Sequence, residues 1–106
     1  MHALVTGGGG FLGSYIVEAL LARGDQVRSL GRGDYPQLQS RGVEVVRGDV
    51  RDSAALASAC AGMDCVFHCA ALAGIGMDRD AYESINQRGT ELLLANARRQ
   101  GVTRIV

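Results

Sequence analysis

The sequence predicts an α/β fold in which helices cover both faces of a doubly wound parallel sheet, and three observations predict it. Short apolar runs alternate with helical patterns along the 106 residues. The connections between successive runs are too long for hairpins. A glycine-rich turn separates the first apolar run from the first helical pattern. Parallel strands joined by right-handed helical crossovers account for all three.

Each strand is predicted from a short apolar run bounded by turn residues. The five runs are His2–Val5, Val27–Leu30, Val43–Val46, Cys65–Cys69 and Thr103–Val106. The fourth run is mostly apolar, which is typical of a strand covered by helices on both faces. The sequence therefore predicts five parallel strands, with the chain ending inside the fifth.

The helices are predicted from apolar spacing and from residues that begin or end helices. The predicted segments are Gly10–Arg23, at most a short helix within Gly31–Gly42, a helix capped by Asp52 or Ser53 and ended by Gly62, and a helix from about Ala81 to Gln100. Gly24 suits the left-handed cap at the end of the first helix. The last helix is expected to bury Tyr82, Ile85, Leu92, Leu93 and Ala97.

Composition and charge exclude several classes of partner. Eleven basic residues balance eleven acidic ones, so there is no electrostatic case for nucleic acid or an anionic membrane. No apolar run approaches the roughly 20 residues that span a bilayer, and the first residues do not form a signal peptide. Three cysteines, an odd number, predict free thiols in a reducing compartment. We therefore expect a cytoplasmic protein.

The glycine-rich segment Thr6–Gly13 (TGGGGFLG) is the strongest functional signal. Gly7 allows a tight turn after the first strand, Gly10 allows a pyrophosphate to approach the backbone, and Gly13 allows close packing of helix on strand. The helix that follows directs unpaired N–H groups and its positive dipole end toward such a ligand. Glycines also form turns without function, but a strand before and an amphipathic helix after favour a Rossmann-like dinucleotide site.

The end of the second strand bears on the choice between NAD and NADP. An NAD-preferring site has a carboxylate there for the ribose 2′-hydroxyl, whereas this chain has Leu30–Arg32, without an acid. Arg32 and Arg28 are candidates to bind a 2′-phosphate, or they are solvated surface residues. Asp34, in the following loop, is an alternative ribose ligand. The pattern favours NADP.

Gly48–Asp52, after the third strand, supplies a third candidate contact. A carboxylate on Asp49 can accept a hydrogen bond from the adenine amino group, and Val50 can cover the ring. The alternative for Asp49 is a helix N-cap, a position that Asp52 already fills well.

The end of the fourth strand combines small residues with a histidine between two cysteines. Small residues let a cofactor lie against the backbone at the point where the strand order reverses. His68 beside Cys65 and Cys69 suggests a metal site, but strand alternation places His68 on the opposite face from both thiols. A packed, hydrogen-bonded histidine without a metal is therefore predicted.

Four motifs together resemble one known family. They are Thr6–Gly13, Gly48–Val50 (GDV), His68–Ala71 (HCAA) and Ile85–Thr90 (INQRGT), in that order along the chain. This combination resembles the extended short-chain dehydrogenases/reductases, which include the NAD-dependent epimerase/dehydratases and the 3-beta-hydroxysteroid dehydrogenase-like enzymes. The resemblance covers the whole chain and implies hydride transfer between NAD(P) and a sugar-nucleotide, steroid or similar alcohol or ketone in a full-length relative.

The resemblance also implies roles for individual residues. The implied cofactor contacts are backbone amides of Phe11 and Leu12 at the pyrophosphate, Asp49 and Val50 at the adenine, and Ala70, Ala71 and Leu72 beside the nicotinamide. Asn86 corresponds to a helix asparagine that supports the active site in the family. The alternative for Asn86 is an ordinary polar residue inside a helix.

Two departures from the family pattern shape the expected function. NAD-preferring members carry an acid where Gly31 stands, and family catalysis uses a Ser/Thr and a Tyr-x-x-x-Lys that this chain, which has no lysine, does not contain. Residues 1–106 are therefore expected to be the amino-terminal NAD(P)-binding part, without a substrate domain and inactive alone. A non-catalytic dinucleotide sensor and a structural fragment requiring a partner chain are the alternatives. Uncovered apolar faces would favour homo-oligomers.

Overall fold

The computed structural model of the chain describes residues 1–69 and 79–106. In chain order the elements are β1 (His2–Thr6), α1 (Phe11–Ala22), β2 (Gln26–Gly31), α2 (Pro36–Gln39), β3 (Glu44–Arg47), α3 (Ser53–Cys60), β4 (Cys65–His68), α4 (Arg79–Arg99) and β5 (Arg104–Ile105). Every strand and helix in the prediction is present; a short helix, α2, lies within Gly31–Gly42, and the predicted ends of the other elements differ from the observed ones by at most two residues. The α/β prediction is confirmed.

The strands form one parallel sheet in the order β3-β2-β1-β4-β5. The chain runs outward from β1 to β2 and β3, then crosses back and places β4 on the other side of β1. Thr6 pairs with His68 where this reversal occurs. A crevice therefore opens at the carboxyl ends of β1 and β4, which is where open α/β sheets bind ligands.

Two apolar clusters lie on opposite faces of the sheet, because successive strand residues point to opposite sides. Leu4 of β1 packs on the face covered by α3 and α4, together with Leu30, Leu56 and Leu93. Its neighbours Ala3 and Val5 belong to the cluster on the other face, with residues of α1 such as Val17 and Leu20. Burial on both faces explains why β1 is apolar without alternation.

The buried face of α4 agrees with the prediction where the structure describes its side chains. Leu93 and Ala97 are fully buried and Leu92 is half-buried. The side chains of Tyr82 and Ile85 lie outside the described residues. Within residues 1–69 and 79–106, no helix combines the length and the apolar character needed to cross a membrane.

Cys60, Cys65 and Cys69 are free thiols, as their odd number predicts. Burial raises the pKa of all three, so each thiol is held in its neutral form at neutral pH. In the described part of the chain, His, Cys, Asp and Glu side chains form no group of three or more that would hold a metal ion.

Candidate cofactor-binding site

A cavity of about 230 Å³ opens at the carboxyl ends of β1, β2 and β3. Its lining residues are Gly7, Gly10, Leu30, Gly31, Arg32, Tyr35, Gly48, Asp49, Val50 and Cys69. Five of these were predicted as cofactor contacts from the sequence, namely Gly7, Gly10, Arg32, Asp49 and Val50. The fold therefore brings residues from four connections, those after β1, β2, β3 and β4, to one crevice.

The glycine turn is held by backbone hydrogen bonds and by close packing. Gly7 adopts a φ of 74°, which favours glycine, and its N–H donates to the carbonyl of Leu30 at 3.0 Å. A Cβ on Gly13 would overlap the carbonyl of Gly7, so α1 packs directly on the turn. The turn and packing roles predicted for Gly7 and Gly13 are thus observed. The ligand contact predicted for Gly10 stays a prediction.

The first turn of α1 presents backbone donors without acceptors. The N–H groups of Phe11, Leu12 and Gly13 have no backbone partner among the described residues, and Gly10 at the N-cap supplies no side-chain cap. No acidic residue lies in this turn. The side chains of Phe11 and Leu12 are 83% and 61% exposed, and of this turn it is Gly10 at the N-cap that lines the cavity. These donors and the helix dipole favour an anion.

Of the charged residues predicted near the end of β2, Arg32 alone lines the cavity. It has no hydrogen-bond or salt-bridge partner in the described part of the chain. Asp34 is instead paired with Arg47 at 3.3 Å and is largely exposed. Among the described residues, the end of β2 therefore presents a guanidinium and no carboxylate to the cavity, while Asp49 lines it from the segment after β3.

The interpretation of Arg28 as a phosphate ligand is wrong. Arg28 lies near the middle of β2, and its Nη1 donates to the carbonyls of Ala59 and Ala61 at 2.9 and 2.7 Å. Its Nε donates to Glu44 at 2.9 Å. Unpaired carbonyls at the end of a helix attract a cation, so Arg28 fastens the end of α3 to the sheet.

Asp49 is held by Arg51, and Asp52 caps α3 as predicted. Oδ1 of Asp49 accepts from the Arg51 backbone N–H at 2.8 Å and from its Nε at 3.0 Å, while Oδ2 accepts from Nη2 at 2.7 Å. These hydrogen bonds lower the pKa of Asp49 to about 2. Asp49 is therefore a carboxylate throughout the neutral range. Because each carboxylate oxygen accepts about two hydrogen bonds, Oδ2 retains one free position.

His68 links β1, β4 and α4 through both ring nitrogens. Its Nδ1 lies 2.8 Å from Oγ1 of Thr6, and its Nε2 lies 3.1 Å from Oγ1 of Thr90. Thr6 Oγ1 also accepts the backbone N–H of Cys69, which lines the cavity. The prediction of a packed, hydrogen-bonded histidine is confirmed. The chain of hydrogen bonds fixes the carboxyl end of β4 beside the turn after β1.

Burial lowers the pKa of His68, which makes stability depend on pH. An unfolded histidine takes up a proton near pH 6.5 while the folded one does not, so the free energy of unfolding should fall as pH drops below about 6.5, by at most about 1.4 kcal/mol per pH unit. Urea unfolding between pH 7.5 and 5.5 measures this slope. The variant His68→Gln should reduce this dependence of the free energy of unfolding on pH, whereas His2→Gln, at an exposed site, should not. The same pH dependence in wild type and His68→Gln would contradict the assignment of the effect to His68.

Three predicted nicotinamide contacts, Ala70, Ala71 and Leu72, lie outside the described residues. Asn86 is half-buried on α4. One turn further along, a Cβ on Gly89 would lie 3.1 Å from Cγ2 of Val50, so α4 packs beside the adenine contact predicted at Val50.

Sequence reasoning missed Tyr35 as a cavity residue. The segment Gly31–Gly42 predicted only a loop with a short helix, and no periodic pattern marks the direction of a loop side chain. The one local signal was Pro36, which marks the first turn of α2 and so places Tyr35 at its N-cap.

Five parallel strands in this order, with a glycine turn opening into α1, define the chain as a Rossmann-like protein. Residues 4–106 match the 3-beta hydroxysteroid dehydrogenase/isomerase family. The chain belongs to that family. The resemblance to the extended short-chain dehydrogenases/reductases is confirmed.

Similar proteins whose activities are described are consistent with membership of this family. The chain is 45% identical to a 2-alkyl-3-oxoalkanoate reductase of Stenotrophomonas maltophilia over 106 residues, which are 100% of this chain and 32% of that protein. It is 42% identical over 117 residues to a 3 beta-hydroxysteroid dehydrogenase/Delta 5→4-isomerase of Mycobacterium tuberculosis, covering 99% of this chain and 30% of the other. The chain thus spans about a third of the length of these relatives.

Solved structures show the same fold. A short-chain dehydrogenase/reductase superfamily protein from Agrobacterium tumefaciens with bound NAD superimposes with a TM-score of 0.83 at 34% identity, over 99% of this chain and 31% of that one. UDP-glucose 4-epimerase of Thermus thermophilus, in complex with NAD, gives 0.83 at 34% identity, over 99% and 36% of the two chains. Both of these proteins hold the dinucleotide NAD.

Proposed function

We propose that residues 1–106 are the dinucleotide-binding part of an NAD(P)-dependent oxidoreductase or epimerase, and that they bind NADP in preference to NAD. The cavity at the carboxyl ends of β1, β2 and β3 carries this proposal, because it is lined by the N-cap of α1 and by an arginine that has no hydrogen-bond or salt-bridge partner in the described part of the chain. NAD bound to two similar proteins supports the dinucleotide class.

The pyrophosphate is assigned to the first turn of α1. Gly7 and Gly10 line the cavity there without side chains, and the amides of Phe11, Leu12 and Gly13 have no backbone acceptors within residues 1–69 and 79–106. A helix N-terminus with free donors and no nearby acid stabilises a diphosphate through hydrogen bonds and its dipole. The residues present therefore fit the group.

The adenosine half is assigned to the part of the cavity next to β2 and β3. Asp49 keeps one acceptor position on Oδ2 for the adenine amino group, and Val50 offers an apolar surface to the ring. Arg32 is proposed to bind a 2′-phosphate through two N–H donors of its planar guanidinium. Among the described lining residues the acidic one is Asp49, and Arg51 neutralises it. The charge balance therefore favours the extra phosphate of NADP.

Bound NADP supplies the hydride acceptor or donor for redox chemistry at a carbon. In the whole protein we propose that this carbon is the alcohol or ketone carbon of a sugar-nucleotide, steroid or similar substrate, in line with the descriptions of the reductase and dehydrogenase relatives. Ala70, Ala71 and Leu72 are proposed to lie beside the nicotinamide, and Asn86 to support the active site. This chain's own share is to bind and orient the cofactor.

Calorimetric titration with NADP and with NAD tests the proposal, using Arg32→Ala as the informative variant. A hydrogen-bonded charge pair contributes about 1.5–3 kcal/mol, so Arg32→Ala should weaken NADP binding by about tenfold or more and change NAD binding little. Arg98→Ala removes the same charge from the exposed face of α4 and serves as the control. Absence of binding by the folded wild-type chain would contradict the function, and equal loss for both nucleotides would contradict the role of Arg32.

A further inference from the structure

Tyr35 lies across the end of β2 with its ring against bare glycine backbone. A Cβ built on Gly33 would lie 3.0 Å from Cζ of the ring, one on Gly31 would lie 2.7 Å from Cε2, and one on Gly9 would overlap the ring. Three glycines, one at the end of β2 and one each in the connections after β1 and β2, thus surround one aromatic side chain. The ring also lines the cavity.

The backbone of Tyr35 is fixed in an uncommon conformation. Its φ of 44° makes it the non-glycine residue with positive φ in the described part of the chain. Its carbonyl accepts the N–H groups of Leu38 and Gln39, and Pro36 begins α2 immediately afterwards. The short helix therefore anchors the residue whose ring reaches back to Gly31.

The ring and a side chain at position 31 compete for the same space. Position 31 ends β2, where a carboxylate would bind the ribose 2′-hydroxyl in an NAD-preferring site. A Cβ there would lie 2.7 Å from Cε2 and 3.2 Å from the hydroxyl oxygen of Tyr35. Real Cβ atoms essentially never approach other atoms within 3.0 Å, so an acid at position 31 would require the ring to move. The phenol hydroxyl consequently lies close to where that acid would begin.

Two polar groups at the end of β2, the Tyr35 hydroxyl and the Arg32 guanidinium, can donate hydrogen bonds to a ligand. Neither the Tyr35 hydroxyl nor the Arg32 guanidinium has a hydrogen-bond partner among the described residues. A 2′-phosphate accepts hydrogen bonds from both, and a phenol carries no charge that would repel it.

We propose that Tyr35 is a specificity-determining residue that replaces the carboxylate at the end of β2. Its ring fills the space of an acidic side chain, and its hydroxyl donates to a 2′-phosphate beside Arg32. This proposal rests on the proposed dinucleotide function and extends it to the means of choosing NADP.

Titration of the 106-residue chain with adenosine 2′,5′-bisphosphate and with 5′-AMP isolates this contact from the rest of the cofactor. Tyr35→Phe keeps the ring and removes the hydroxyl, so it should weaken the bisphosphate by about tenfold or more and 5′-AMP by less than about threefold. Tyr15→Phe removes an exposed hydroxyl on α1, outside the cavity lining, and should change neither affinity. Circular dichroism checks that each variant is folded.

The outcomes separate the two proposals. The wild-type chain should bind both nucleotides. If Tyr35→Phe then loses affinity for both equally, or for neither, the role of Tyr35 is overturned and the dinucleotide function stands. If the folded wild-type chain binds neither nucleotide nor NADP, the proposed function fails and this inference falls with it.

A second pair of variants tests the competition for space. Gly31→Asp alone should lower the melting temperature, because its Cβ meets the ring. The double variant Gly31→Asp with Tyr35→Ala removes the ring from this space, so its melting temperature should recover relative to that of Gly31→Asp. The binding preference of the chain should shift from the bisphosphate to 5′-AMP. Additive losses of stability, or an unchanged preference in the double variant, would contradict the proposal.

Discussion

The variant Gly13→Ala is expected to lose dinucleotide binding and about 3 kcal/mol of the free energy of unfolding. The new Cβ would overlap the carbonyl of Gly7, and neither atom belongs to a side chain that can rotate away. Helix α1 must therefore lift from the turn, which costs overpacking energy and displaces the free amides of the first turn. Urea unfolding and calorimetric titration with NADP measure the two effects.

Gly24→Ala is the matched control for this substitution. Gly24 has a φ of 86°, but a Cβ there would meet no atom within 4 Å. Its cost should therefore be the conformational one alone, about 1 kcal/mol, and NADP affinity should stay unchanged. Equal destabilisation by the two variants, or retained binding in Gly13→Ala, would show that close packing on Gly7 is not the reason for a glycine at position 13.

Leu30→Ala is expected to lower the free energy of unfolding by about 2–5 kcal/mol. Leu30 is fully buried in the cluster beneath α3 and α4, and it also lines the cavity. Its carbonyl accepts the N–H of Gly7, so this residue joins the core to the glycine turn. Removing three carbons leaves a void that the sheet cannot close. The midpoint and slope of urea unfolding give the loss.

Leu94→Ala deletes the same atoms from the exposed side of α4, where Leu94 is 42% exposed. Its cost should stay below about 1 kcal/mol, because little of the side chain is removed from water on folding. A similar cost for the two leucines would argue against the cluster around Leu30 as the centre of the core.

Much of the fold follows from sequence because the relevant signals are local. The glycine turn, the apolar β1 and the cap at Asp52 each depend on a few adjacent residues, and all three are observed where predicted. The packed environment of His68 could also be predicted, because alternation along β4 places its side chain on the opposite face from both thiols. Its partners Thr6 and Thr90 were not predicted, because they come from β1 and α4.

The site was harder to predict where it depends on tertiary neighbours. Arg28 and Arg32 are four residues apart, yet the first reaches the end of α3 and only the second reaches the cavity. The two arginines differ in their contacts because α3 ends beside Arg28, and the sequence of β2 does not encode where α3 ends. Tyr35 reaches the cavity because α2 begins at Pro36 and turns the preceding residue back over Gly31.

We propose that the pyrophosphate and adenosine of NADP occupy the crevice formed by the glycine turn, the end of β2 and the segment after β3. Amide chemical shifts of the ¹⁵N-labelled chain, recorded during titration with NADP, test this placement. We expect the largest changes at Gly10–Gly13, Gly31–Arg32 and Asp49–Val50. Saturating NADP that leaves these amides unchanged, or that shifts only the opposite edge of the sheet around Gly42 and Met63, would contradict it.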